Sequence, residues 1–334
     1  MSTPDVSAVI VAWNAGESLD RCLTSLRRSA GHAGVELEVV IVDNASADGS
    51  VDGVRRAPDV VVVGNPVNAG YGVAAAQGLA RARADWALLV NTDVEVSTEF
   101  FTELVGAARK AAGDVASIVP ELRYASDPSI VNSRGVAVDT LGVPLEVDLG
   151  SPHSTSPTTP TLGGSSGCCL LRLEAVRQLG GPEPVFFAYL EDVDLAVRLC
   201  RAGYRALFVP SAHALHVGSA SLGGDSPLKA YLVARNRRLL FALAGPGSVA
   251  ARLARVPIEI GHGIVTSASG AGLAPWRGRL AALRARRYVR FVKRSRSLLE
   301  PRTASLPELP AADPLGALRR KRAARRSMQI GRDR

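Results

Sequence analysis

The chain has 334 residues, 47% of them apolar, which excludes a disordered chain and allows one large core or two small ones. No uninterrupted run of about 18 apolar residues occurs, so no transmembrane helix is predicted, and the four cysteines, Cys22, Cys168, Cys169 and Cys200, form no Cys-x-x-Cys pair, which speaks against a zinc site or disulfide framework and for a reducing cytoplasm. Charge is lopsided: from Arg277 onward 18 Lys and Arg face 4 Asp and Glu, a net of +14, while the preceding residues carry a net of −5.

The opening residues, Met1-Ser2-Thr3-Pro4-Asp5, lack the basic start of a secretory leader, and the apolar run that follows reads as a first strand over Val6–Ala12. Trp13-Asn14-Ala15-Gly16 ends it. Ser18 is placed to cap a helix in which Leu19, Cys22, Leu23 and Leu26 recur at helical spacing. A second strand over residues 37–42 stops at Asp43-Asn44-Ala45-Ser46, and a third over 60–63 runs into Asn65-Pro66-Val67-Asn68-Ala69-Gly70-Tyr71-Gly72. An Ala-rich helix then leads to a strand at Ala87-Leu88-Leu89-Val90, which ends in Asn91-Thr92-Asp93. This alternation predicts an α/β fold, a Rossmann-like parallel sheet with helices on both faces. Ligands of such sheets bind outside the carboxyl ends of the strands, where Asp43 and Asp93 fall. A carboxylate beside a bound diphosphate calls for a divalent cation, because the two anions would otherwise repel. Neither a Gly-x-Gly-x-x-Gly fingerprint, a P-loop nor a Gly-x-Ser-x-Gly elbow is present.

A helix is expected over 100–112 and a short strand over 118–120. Residues 150–167, rich in Ser, Thr, Pro and Gly, read as a linker or as a loop over a cleft, because regular structure resumes at Cys168. Further on, Glu191-Asp192-Val193-Asp194 opens a helix closed by Gly203. Carboxylates suit a first helical turn, but three in four residues exceed that need. Glu191 and Asp194 share a helix face and Asp192 points roughly 100° away, free to face a cleft. In the following strand His213 and His216 fall on opposite faces, so only one can reach a given site.

In this order the segments ending at Asn14, 42–50, 65–72, 91–93, 167–171, 186–195 and 216–218 resemble glycosyltransferase family 2, in its bacterial rhamnosyltransferase-like branch; Arg235-Asn236 extends the likeness, which covers residues 6–236. The resemblance implies a GT-A fold and inverting transfer of a sugar, dTDP-rhamnose being the favoured donor, to a glycan or polyprenyl-linked acceptor of the cell envelope. Carried over residue by residue, it implies that Asp43 binds the nucleotide base with Ala12, Trp13 and Asn14 lining the same pocket, and that Asn68, Gly70, Asn91 and Thr92 complete the nucleotide-sugar site. It further implies that Asp93 and His216 ligate Mg²⁺ or Mn²⁺, and that Asp192 is the general base with Glu191 beside it. Two departures stand out. Asn91 replaces the first Asp of the family's Asp-x-Asp, and Gly180-Gly181-Pro182-Glu183-Pro184 replaces its usual Gly-Gly-Phe-Asp-Glu run.

The expected organisation is a glycosyltransferase domain over 1–225 (nucleotide half 1–95, acceptor half 96–225), a helical extension over 226–300 and a Pro-containing basic tail over 301–334. Helices are expected over 229–243, 250–265 and 276–299. The last carries Leu280, Leu283, Tyr288, Phe291 and Val292 against Arg277, Arg279, Arg284, Arg286, Arg290 and Lys293, a pattern that suits either an anionic membrane surface or packing on its own body. The expected location is therefore cytoplasmic, with peripheral contact at the inner face of the membrane. Two other readings are weighed. A nucleic-acid-binding protein would need basic residues on a folded surface, whereas the body is net acidic. A glycosyltransferase-like binding module without catalysis is suggested by Asn91 but opposed by the joint presence of Asp43, Asp93, Asp192 and His216.

Overall fold

The computed structural model describes residues 3–57, 59–217, 226–245 and 248–299. In chain order these hold β1 (Val6–Ala12), α1 (Ser18–Ala33), β2 (Leu37–Asp43), β3 (Val60–Gly64), α2 (Tyr71–Arg81), β4 (Trp86–Asn91), β5 (Val94–Val96), α3 (Phe100–Lys110), β6 (Val115–Tyr124), β7 (Asp127–Ser133), β8 (Val136–Val138) and β9 (Pro144–Glu146). There follow β10 (Cys168–Arg172), α4 (Leu173–Gln178), α5 (Glu191–Arg201), β11 (Arg205–His216), α6 (Pro227–Ala244), α7 (Val249–Thr266), α8 (Ala274–Arg284) and α9 (Arg286–Leu299).

The main sheet runs β3-β2-β1-β4-β10-β6-β11-β5. The first four strands are parallel, and β10 inserts antiparallel to both β4 and β6. Alternation along β1 divides the core. Val6, Ala8, Ile10 and Ala12 meet Leu19, Leu23 and Leu26 of α1 and the Phe100–Phe101 pair of α3, while Val9 on the opposite face meets Ala75 and Leu79 of α2. Gly78 lets α2 approach the sheet, because a Cβ there would run into Val9. The order 3-2-1-4 reverses at β1, so the crevice at the carboxyl ends of β1, β2 and β4 is the expected ligand edge.

The sheet curls. β5 directly follows β4 in sequence yet pairs at the far edge with β11, aligning His216 with Val94 and Leu215 with Glu95. That closure carries His216 to Asp93, 123 positions earlier in the chain. His213 and His216 do lie on opposite faces, as alternation requires, because both are in register with β6.

Several local expectations are corrected. Ser18 is the first helical residue and not the cap; Glu17 holds the cap position, and the Ser18 hydroxyl donates back to the Ala15 carbonyl. The short strand expected at 118–120 is the middle of the ten-residue β6. Residues 150–167 are no linker: the Val131 and Ser151 backbones bond, as do Leu162 and Val136, and the Gly164 N–H donates to Ser117 Oγ. The single helix expected over 276–299 is two helices broken at Ala285. Its proposed stripe splits as well, for Val292 is buried beside Val289 while Leu280 and Phe291 stay exposed. The Pro-containing basic tail expected over 301–334 lies outside the described residues, as does Gly218.

Candidate active site

The nucleotide edge is built by loops that clip to one another. After β1 the chain turns through Asn14 at φ 48°, a left-handed conformation that asparagine tolerates. Asn14 Oδ1 accepts from the Ala47 N–H at 2.8 Å, and Gly16 N–H donates to Asp48 at 2.9 Å, tying the β1 and β2 loops together. Asp43 is buried at the end of β2, with its carboxylate held by the Ser46 N–H at 2.9 Å and by Arg55 at 2.6 Å. Next to it the buried Asn44 joins a third loop. Its amide donates to Asn68 Oδ1 at 2.8 Å, and its carbonyl accepts from Asn65 and from the Ala69 N–H. Asn68 in turn accepts from the Gly70 N–H. Gly70 sits at φ +89° where a Cβ would strike Phe187, so only glycine lets this loop reach the segment before α5.

Asn91 ends β4, with its N–H on the Gly167 carbonyl, and Thr92 and Asp93 are buried in the turn to β5. Asp93 Oδ1 lies 3.3 Å from His216 Nε2. The other ring nitrogen, Nδ1, is 2.8 Å from Asn132 Oδ1. An amide oxygen only accepts, so Nδ1 donates to it, and in the neutral ring that leaves the Nε2 lone pair on the Asp93 side. Nε2 is buried and has no hydrogen-bond partner. A ring nitrogen and a carboxylate oxygen 3.3 Å apart are spaced as neighbouring ligands of one cation lying beside both, and the Asn132 bond is the outer support that would hold the ligating tautomer. Among the described residues no cluster of three or more His, Cys, Asp or Glu side chains could hold a metal, so the protein offers this pair and other ligands would come from the bound molecule or water.

The acidic helix start divides by environment. Asp194 is fully buried; burial alone would raise its carboxyl, but Arg198 and Arg296 outweigh that and hold it below the ordinary carboxylate value. Glu191 is also buried, its Oε2 has no partner, and burial together with the neighbouring Asp192 pushes it up to about 8. Asp192 is half-buried and accepts the N–H groups of Ser166 at 3.0 Å and Val193 at 2.8 Å. Burial raises it, against the lowering effect of those N–H groups. It lines a small cavity with Ser117, Gly164, Ser165 and Leu195. The loop over 150–167 thus folds over the cleft and contributes directly to it. Glu146 on β9, which accepts from Ser133 Oγ, is a further carboxylate within electrostatic reach of Asp192.

α5 is positioned by a strained turn. Phe187, Tyr189 and Leu190 all have positive φ, costly for side chains of that size. The buried Asn236 of α6 holds the turn, with Nδ2 2.8, 2.7 and 2.8 Å from the carbonyl oxygens of Phe186, Ala188 and Tyr189. Reading by residue type missed Asn44, Asn132, Glu146, Ser166 and the role of Asn236. Asn44 and Asn236 lie inside motifs that signalled them as a group, whereas Asn132 and Glu146 sit in a stretch with no local signal.

The family profile described as "Glycosyl transferase family 2" matches residues 7–180, and "Glycosyl transferase family group 2" matches 151–240. The chain is 30% identical over 250 residues to the N-acetylglucosaminyl-diphospho-decaprenol L-rhamnosyltransferase of Mycobacterium tuberculosis, covering 67% of this chain and 79% of that one. It is also 30% identical over 220 residues to the pre-mycofactocin glycosyltransferase of the same organism, covering 64% and 42%. Among solved structures, the mannosyltransferase PcManGT of Pyrobaculum calidifontis in complex with GDP-Man and Mn²⁺ superposes with TM-score 0.53 at 16% identity, over 99% of this chain and 87% of that one. GalNAc-T7 with UDP, GalNAc and Mn²⁺ superposes with TM-score 0.54 at 17% identity, over 72% and 48%.

Proposed function

From the premise that the chain belongs to glycosyltransferase family 2, in its rhamnosyltransferase-like branch, we propose that it is a metal-dependent inverting enzyme moving a sugar, with dTDP-rhamnose the favoured donor, to a hydroxyl of a cell-envelope or lipid-linked glycan. The observation that carries the reading is the convergence, on one edge of the sheet, of Asp43, the Asp93–His216 pair and the half-buried Asp192. The mycobacterial relative is by name a rhamnosyltransferase acting on a decaprenyl diphosphate sugar, which supports the donor and acceptor classes.

In this reading the loops ending at Asn14, Ser46 and Gly70 enclose the nucleotide, and Asp43 meets the base. Asp93 and His216 would hold Mg²⁺ or Mn²⁺, which when bound offsets the charge growing on the departing nucleotide diphosphate. Asp192 takes the proton of the acceptor hydroxyl as its oxygen attacks C1 from the face opposite the diphosphate. The C1–O bond to the diphosphate breaks as the new one forms, and the configuration at C1 inverts. Burial suits Asp192 to this, because a carboxyl raised by burial holds the transferred proton better. The N–H groups of Ser166 and Val193 aim it.

The test is a thermal-shift series over nucleoside diphosphates and nucleotide-sugars with and without Mn²⁺. A bound ligand stabilises the native state by mass action, so base preference and metal requirement are read together. Thymidine diphosphate should stabilise in a Mn²⁺-dependent way, and Asp93→Ala should remove that dependence. A full Mn²⁺-dependent shift in Asp93→Ala would refute the ligand assignment.

A further inference from the structure

The longest run of exposed apolar side chains among the described residues lies on α7, which contributes no residue to the site described above. On α7, Val249, Leu253, Val256, Ile260 and Ile264 follow one another at steps of three and four residues and form one stripe, each between 46% and 68% exposed. At 1.5 Å per residue the stripe is about 22 Å long. The flank of the helix beside the stripe is pinned to the body. Arg255 donates to the Leu141 carbonyl and stacks on Phe241, Gly263 packs against Trp276, and Glu259 pairs with Arg237 and Arg279. The stripe is therefore a fixed outward surface.

Within residues 248–299 the exposed charges have one sign. Glu259 is the sole carboxylate in residues 248–299, and it points inward to its arginines. Arg252 is exposed on α7. On α8, which meets α7 through Trp276 and Arg279, the exposed Leu280, Arg284 and Arg277 fall within about 60° of one another around the helix. On α9 the exposed Phe291 has Arg287, Arg290 and Arg294 within about 100° of it around the helix. No helix of the described residues is long and apolar enough to cross a membrane, so at a bilayer this stripe would lie flat.

We propose that the aliphatic face of α7 inserts into the headgroup–acyl boundary of an anionic bilayer, with the exposed arginines of α7, α8 and α9 on the surrounding lipid phosphates. This assigns the membrane contact to a folded surface and an apolar insertion, in addition to the charge of the tail. A second copy of the chain fits the same face poorly. A two-fold contact would bring like-charged rims together with no exposed carboxylate in this region to oppose them. The inference does not depend on the sugar or the acceptor.

The test is co-sedimentation of the full-length protein with phosphatidylcholine vesicles, with and without phosphatidylglycerol. Wild type should bind the phosphatidylglycerol vesicles, and Leu253→Gln/Ile260→Gln should lose at least tenfold in partitioning while keeping the wild-type melting temperature and nucleoside diphosphate response. Leu253→Trp, which keeps the surface apolar, should show a blue-shifted tryptophan emission on adding those vesicles. Unchanged partitioning of the double variant, or no shift for Leu253→Trp, would overturn the assignment. Concentration-dependent dimerisation that the double variant abolishes, without vesicle binding by wild type, would give the face to a second copy and also overturn it.

Discussion

Arg296 grips Asp194 with both arms of its guanidinium, Nη1 to Oδ1 at 3.0 Å and Nη2 to Oδ2 at 2.8 Å, so the basic C-terminal helix is locked to the start of the helix that carries Asp192. Arg198 completes the pair, and Tyr288 and Arg296 both bind Glu183. This contact joins a buried carboxylate to a mostly buried cation, so removing one partner costs more than a surface bridge would. Arg198 remains to share the charge, so Arg296→Ala should destabilise by about 1–3 kcal/mol in urea unfolding.

The same pair sets a dependence on acid. Asp194 is held below its ordinary value, so its contribution is present above the unfolded-state pKa and is lost as pH falls through the folded one. The gap between wild type and Arg296→Ala should therefore be full at neutral pH and close on acidification. A gap that is constant with pH would show that the Arg296 contribution is packing alone.

Asn236 restrains three carbonyls of a turn with three positive-φ side chains. Asn236→Leu keeps the volume and leaves those carbonyls without their buried donor, so it should cost about 2–4 kcal/mol. It should also lower the transfer rate without touching substrate, because α5 would lose its fixed entry. A destabilised variant with a normal rate at low temperature would separate the turn from the positioning of Asp192.

Asn132 touches no proposed substrate atom, yet it sets the tautomer of His216. Asn132→Leu should weaken Mn²⁺-dependent nucleotide binding by about 10–100-fold, the usual effect of losing an outer support of a metal ligand. His216→Ala should lose at least as much, and His213→Ala, on the other strand face, should lose nothing. Calorimetric titration of thymidine diphosphate at several Mn²⁺ concentrations reads all three. Equal losses for the two histidines would refute the facing inferred from strand alternation.

Glu191 is pushed up to about 8 from an ordinary value of 4.5. A carboxyl raised on folding contributes stability below its unfolded pKa and loses it as pH rises through the folded one, here between about 4.5 and 8. Glu191→Gln keeps the neutral form at every pH. It should match wild type near pH 4 and exceed it by a margin that widens up to about pH 8, by urea unfolding. Parallel curves for the two proteins would place the Glu191 charge in water.

Much of this was legible because parallel strands buried on both faces leave unbroken apolar runs, as at β1, β2 and β4, and the polar residues that end those runs mark the ligand edge. The i, i+3, i+4 pattern at Leu19, Cys22, Leu23 and Leu26 likewise fixed the buried face of α1. What escaped depends on pairing at a distance. The reversed direction of β10, the length of β6 and the β8–β9 hairpin follow from which strands meet, and short strands with few apolar residues show no period of their own. His216 meets Asp93 only because the sheet curls, which no local stretch encodes. The break at Ala285 was hidden because Ala-Arg-Arg is good helix sequence; tertiary packing of Val289 and Val292 on the body decides the direction of α9.

The central claim is that Asp192 takes the acceptor proton and does little to hold the donor. Asp192→Asn preserves size and can still meet its surroundings by hydrogen bonds, but it cannot accept a proton at neutral pH. Measuring donor affinity by calorimetry and sugar transfer in the same preparation separates the two roles. The account predicts donor affinity within a factor of a few of wild type and a transfer rate lower by ~10² or more, the usual contribution of a positioned general base. Transfer at the wild-type rate by Asp192→Asn would contradict it and move the base to another carboxylate of the cleft.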